Sequence, residues 1–114
     1  MQLKLVTLNI WDIPFWFSLD REERIRRLGQ CLDRISPDLI CLQESFDVKH
    51  RHQIHEGLGR DKFNIIEEYD RTRRILLFKR LDLTGGLITF SRLPIISSRF
   101  IPFRRFVDMA FAGP

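Results

Sequence analysis

Cysteine is scarce in this chain: there are two, Cys31 and Cys41, in 114 residues. One falls in a predicted helix and the other in a predicted buried strand. Such a pair excludes a disulfide framework, and both read as small buried hydrophobes in a reducing, cytoplasmic compartment. Long apolar runs are missing as well. The longest extend a few residues, far short of the roughly 20 that cross a bilayer, so no transmembrane segment is expected. Met1 leads straight into the strand-like Gln2-Leu3-Lys4-Leu5-Val6. No basic stretch followed by an apolar one precedes it, so no signal peptide is expected. Internal repeats and low-complexity linkers are absent. No Lys and Ser/Thr follow Gly85-Gly86 as a P-loop would require, which leaves a turn leading into a strand.

Apolar material is sufficient. The sequence is 44% hydrophobic and 11% aromatic, with ten Phe and two Trp, enough for the core of one small domain. The net charge is +4. Arginine supplies most of the surplus, in clusters at Arg21/Arg24/Arg26/Arg27, Arg71/Arg73/Arg74, Lys79/Arg80 and Arg99/Arg104/Arg105. That balance suits phosphate-bearing partners such as nucleic acid or anionic lipid head groups; a solvated arginine-rich surface explains it equally well.

Hydrophobic periodicity orders the chain. Residues 3–10 are nearly all apolar and suit a central strand. Pro14 interrupts regular structure in the aromatic stretch that follows. Asp20 and Glu23 form a capping-box pattern ahead of Ile25, Leu28, Leu32 and Ile35 at helical spacing, and Ser36-Pro37 ends that helix. Residues 38–43 read as a buried strand, so strand, helix, strand forms an α/β unit. A weaker helix is expected over 47–58, closed near Gly57 and Gly59. Strands are expected at 62–69, 74–80 and 87–91, with an extended segment at 95–101. The apolar stretch 106–114 reads like the approach to another strand, which suggests truncation; docking onto the domain is the ordinary alternative.

The sharpest chemical feature is Leu39-Ile40-Cys41-Leu42-Gln43-Glu44, a buried apolar strand ending in a carboxylate. In open α/β sheets, ligand sites gather at the carboxyl ends of strands. Asn9 ends the first strand in the same way. Should the two strands be neighbours, an amide and a carboxylate meet there as hard oxygen ligands suited to magnesium. A carboxylate after a strand also serves commonly as a loop residue or a helix cap. His50, His52 and His55 follow Glu44, but without the i, i+4 spacing that puts two ligands on one helix face, and they read as solvent-facing. Trp11, Phe15, Trp16 and Phe17 form an aromatic loop beside Asn9 that could meet a lipid interface, stack on a base, or simply pack.

Three stretches in order resemble the endonuclease/exonuclease/phosphatase superfamily. They are the strand ending Leu8-Asn9-Ile10-Trp11, the segment Pro37-Asp38-Leu39-Ile40-Cys41-Leu42-Gln43-Glu44, and Gly85-Gly86-Leu87-Ile88-Thr89-Phe90-Ser91-Arg92-Leu93-Pro94-Ile95. Within it, Asn9-Ile10-Trp11-Asp12-Ile13-Pro14 is most similar to the neutral sphingomyelinase branch. The resemblance implies an α/β fold, with this chain (1–114) the N-terminal half of a four-layer sandwich of two packed sheets flanked by helices. It also implies hydrolysis of phosphodiesters, from a phospholipid head group or nucleic acid, with Mg2+ or alternatively Mn2+ as cofactor. The family's metal-binding glutamate maps onto Glu44, and its first-strand asparagine, which helps bind metal or phosphate, maps onto Asn9. Asp12 and Ser91 are expected to support the site. The Asp-x-Asn pair and the late Asp-His pair of the family have no counterpart here, so the chain alone is expected to be inactive.

Overall fold

The computed structural model describes residues 1–13, 20–67 and 86–101. The strand expected at 74–80, the aromatic residues 15–17, Gly85 and the apolar stretch 106–114 lie outside them. The described elements are β1 (Leu5–Asp12), α1 (Arg21–Ile35), β2 (Leu39–Ser45), α2 (Val48–Leu58), β3 (Asn64–Glu67) and β4 (Ile88–Ser91). They form one sheet in the order β1-β2-β4-β3, with β1 and β2 parallel and the other neighbours antiparallel. A parallel pair needs a crossover, and α1 provides it.

β2 shows why one face of the sheet is covered. Ile40 and Leu42 are buried and alternate with half-buried Leu39, Cys41 and Gln43. Ile40 pairs with Phe90 and Leu42 with Ile88, so these four share a face. Ile25 and Leu32 of α1 and Ile54 and Leu58 of α2 join them in a single core. Each such side chain taken fully from water contributes about 1.5–3 kcal/mol. The opposite face carries Leu5, Thr7 and Asn9, all exposed. The described residues thus make two layers, one sheet and a layer of two helices packed on it.

The helices begin and meet differently from expectation. Asp20 sits in the left-handed region and makes no capping hydrogen bond. A cap needs extended backbone for its oxygen to reach the next turn's N–H groups, so the capping box with Glu23 does not form. Glu23 pairs with Arg26 and Arg27 instead. Asp47 is extended and caps α2, accepting from the Lys49 and His50 N–H groups. Gly57 does not close α2. It lies against Gly29 where the helices cross, and a Cβ on Gly29 would stand 2.8 Å from the Ile54 carbonyl oxygen; Gly59 is the C-terminal cap. Cys31 is exposed and Cys41 half-buried rather than both enclosed, because the buried face of α1 runs through Ile25, Gly29 and Leu32. Residues 95–101 carry no strand.

Candidate functional site

The parallel pairing of β1 and β2 puts their carboxyl ends side by side. Asn9 faces Gln43, one residue before Glu44. Beyond this point three steps along β1 match two along β2, so that Asp12 faces Ser45. Such a bulge bends a strand and re-aims its side chains. Trp11 and Glu44, on the two strands, both take positive φ, 50° and 54°. The burial alternation of β2 slips here: after Leu42 the next buried residue is Ser45, and Glu44 stays half-exposed. Among the described residues its carboxylate has no ion-pair or hydrogen-bond partner. The Asn9 side-chain oxygen accepts the Trp11 N–H at 3.0 Å, which fixes the amide at the mouth.

Beneath the mouth lies a charged network. Asp12 is fully buried and accepts from His50 Nδ1 at 2.9 and 3.0 Å and from Arg21 Nε at 2.9 Å. Arg21 also donates to Asp47 at 3.2 Å, and His50 Nε2 lies 3.0 Å from Glu22. Both ring nitrogens of His50 face carboxylates, so the ring serves as donor on both sides, an imidazolium. Burial works against that charge, but the hydrogen bonds to Glu22 and Asp12, with the charges of Asp12 and Asp47, outweigh it and raise the His50 pKa above its ordinary value. The His50 hydrogen bond in turn holds the Glu22 carboxyl below its usual range.

Two places could hold a cation. Asp12, Asp47 and His50 bring ligand atoms within 4.8 Å of one another. There Arg21 already pairs with one oxygen of each carboxylate and both His50 ring nitrogens face carboxylates, so a cation would have to compete with these contacts. Glu44 and Asn9 do fit: an uncompensated carboxylate and an amide oxygen at a half-exposed mouth leave room for the waters magnesium retains.

Comparison with known proteins agrees with this architecture. No family model matches the chain. It is 30% identical over 95 residues to human sphingomyelin phosphodiesterase 2, covering 83% of this chain. A solved endonuclease/exonuclease/phosphatase family protein from Leptotrichia buccalis superposes with a TM-score of 0.59 at 15% identity, over 84% of this chain. These likenesses support the endonuclease/exonuclease/phosphatase superfamily, in its N-terminal part, as what the chain resembles. The chain spans 20% of the length of the curated relative and 39% of the solved one.

The expected residues divide. Asn9, Glu44 and Asp12 gather at one end of the sheet. Ser91 does not join them. β4 runs antiparallel, so its last residue pairs with Leu39 at the opposite end of β2, and its hydroxyl is bonded to Leu93. The histidines are not uniformly solvent-facing: His50 is buried, His55 is half-buried with its Nε2 2.8 Å from the Phe63 carbonyl oxygen, and His52 is exposed. Two of the α1 arginines are engaged inward, Arg24 donating to the Ile10 and Trp11 carbonyls and Arg21 in the network above, while Arg26 and Arg27 stay exposed beside Glu23. Sequence reasoning missed His50, Arg21 and Arg51. A signal was present for His50, which precedes buried Ile54 and Leu58 by four and eight residues, on one helix face.

Proposed function

We propose that the domain to which this chain contributes hydrolyses phosphodiester bonds with a divalent cation, magnesium first and manganese as the alternative, anchored by Glu44 with Asn9 beside it. The observation that carries this is Glu44 itself, a carboxylate on a left-handed residue at a parallel-strand mouth with no protein cation to neutralise it among the described residues. When bound, the cation polarises a phosphoryl oxygen and neutralises charge developing in the transition state. Glu44 supplies the negative charge, and Asn9 an oriented amide for metal or phosphate. Asp12 supports the strand end from below.

A sphingomyelinase-like substrate is the first reading, supported by the likeness to sphingomyelin phosphodiesterase 2 and by the half-exposed Trp11 ring at the mouth, suited to a lipid interface. The same ring would stack on a base, which favours a nuclease as the second reading. No described side chain is placed as a general base at the mouth, since the nearby His50 is committed on both nitrogens; the chain by itself is therefore read as inactive.

The test is Glu44→Gln. Glutamine keeps the shape and an acceptor oxygen but loses the charge. Mn2+ titrated onto the chain, followed by water proton relaxation, should bind the wild type and lose that binding in the variant. In a longer protein containing this region, turnover should fall by roughly three or more decades, while the melting temperature holds. Equal Mn2+ binding by both proteins would rule the reading out.

A further inference from the structure

We propose that Arg51 is a positioning residue for Glu44, its buried guanidinium clamping the strand end that sets the Glu44 orientation. The proposal rests on reading Glu44 as the cation-binding carboxylate. Arg51 is 1% exposed. A cation buried that far is tolerated only when its donors are satisfied. Its Nε donates to the Ser45 carbonyl at 2.7 Å and its Nη2 to the Leu87 carbonyl at 3.3 Å. Ser45 is the residue immediately after Glu44. Its N–H is tied as well, donating to the Gly86 carbonyl at 2.9 Å. Both backbone groups following Glu44 are therefore held, one by a cation on α2 and the other by the segment leading into β4.

This matters because of the Glu44 backbone. At φ 54° it occupies a region that side-chain-bearing residues adopt rarely, and only where their surroundings over-determine it. Regular alternation would bury Glu44 on the helix side, in line with Ile40 and Leu42; the slip leaves it half-exposed and buries Ser45. The Arg51 bond to Ser45 fastens the chain just after that slip. A guanidinium suits the task because its planar fork presents several donors in fixed directions and can span two carbonyls, whereas an ammonium is a point donor on a flexible stem. The clamp has its own support. Asp47 caps the helix that carries Arg51, and Gly86 packs so closely on Phe46 that a Cβ there would stand 2.7 Å from the ring. Arg51 does not itself touch the cation site, and it acts through the Ser45 peptide.

Mn2+ affinity of the purified chain tests the proposal, measured by proton relaxation on the wild type, Arg51→Lys, Arg51→Met and Glu44→Gln. Arg51 variants with a native far-UV circular dichroism spectrum should bind Mn2+ about 10- to 100-fold more weakly, the loss typical of groups that orient a metal ligand. A role in folding alone would lower the melting temperature and leave the affinity of the folded protein within about twofold of the wild type, and that result overturns the proposal. Mn2+ binding absent from the wild type, or unchanged in Glu44→Gln, overturns the Glu44 reading and this proposal with it. Should neither Arg51 variant fold, the wild type decides by nitrogen-15 NMR. Mg2+ should shift the Glu44 and Ser45 amides together with the Arg51 Nε–H. An Arg51 Nε–H that stays in place while the Glu44 amide moves overturns the clamp.

Discussion

His50 and Glu44 sit near one another in sequence but stand in opposite electrostatic situations. His50 is buried and supplied with carboxylates on both ring nitrogens, which raises its pKa. A group whose folded pKa lies above its unfolded value of about 6.5 stabilises fully below that pH. Its contribution is then lost as pH rises through the folded value. Glu22, lowered by His50, contributes fully above its unfolded value of about 4.3, a contribution lost as pH falls through its lowered pKa. The network is therefore strongest between about pH 4.3 and 6.5. His50→Gln should cost about 1–3 kcal/mol at pH 6, the usual consequence of leaving buried hydrogen-bonding groups unpartnered. The gap in melting temperature between wild type and variant should narrow from pH 6 to pH 9. A gap that is flat across this range would contradict a protonated His50.

At the scale of elements, the crossing of α1 and α2 is set by backbone against backbone. A Cβ on Gly29 would meet the Ile54 oxygen at 2.8 Å and the Gly57 Cα at 2.9 Å. Neither atom belongs to a flexible side chain that can swing aside. Gly29→Ala gains roughly 0.5–1 kcal/mol of helix preference but forces the helices apart, and overpacking of that kind costs about 1–3 kcal/mol. The clash should win, lowering the melting temperature by several degrees, while Gln30→Ala, on the exposed side of the same turn, should leave it nearly unchanged. Periodicity showed α1, because Ile25 and Leu32 recur at helical spacing, whereas α2 was legible only as a weaker helix whose buried side the structure assigns to Ile54 and Leu58. It did not show which aspartate caps. Asp20 and Asp47 look alike in the sequence, and only the backbone angle at each decides whether its oxygen reaches the next turn.

For the whole molecule, the described residues carry the proposed Glu44 and Asn9 mouth, with His50 near it committed on both nitrogens. The chain as it stands should hydrolyse neither sphingomyelin nor DNA in a Glu44-dependent manner, even at millimolar Mg2+. Measured turnover that disappears in Glu44→Gln would show that the present groups suffice. The α1 arginines offer less to a phosphate partner than their number suggests. Arg21 and Arg24 are turned inward, and Arg26 and Arg27 share Glu23.

The α/β order of elements, the apolar face of β2 and the carboxylate at its end were legible from residue types and spacing alone, since periodicity reports which side of a strand or helix is buried. So was the end of the sheet that Asn9 and Glu44 share, once β1 and β2 were taken as adjacent. What the tertiary structure decided depends on contacts distant in the chain. Asp12 and His50 are separated by 38 positions, and Gln43 and Thr7 by 36. The direction of β4 carried Ser91 away from the site, a matter of topology that no local pattern records. The left-handed turn at Glu44 and its fastening by Arg51 arise where β1, β2, α2 and the start of β4 converge, because a strained conformation persists only where several elements hold it at once.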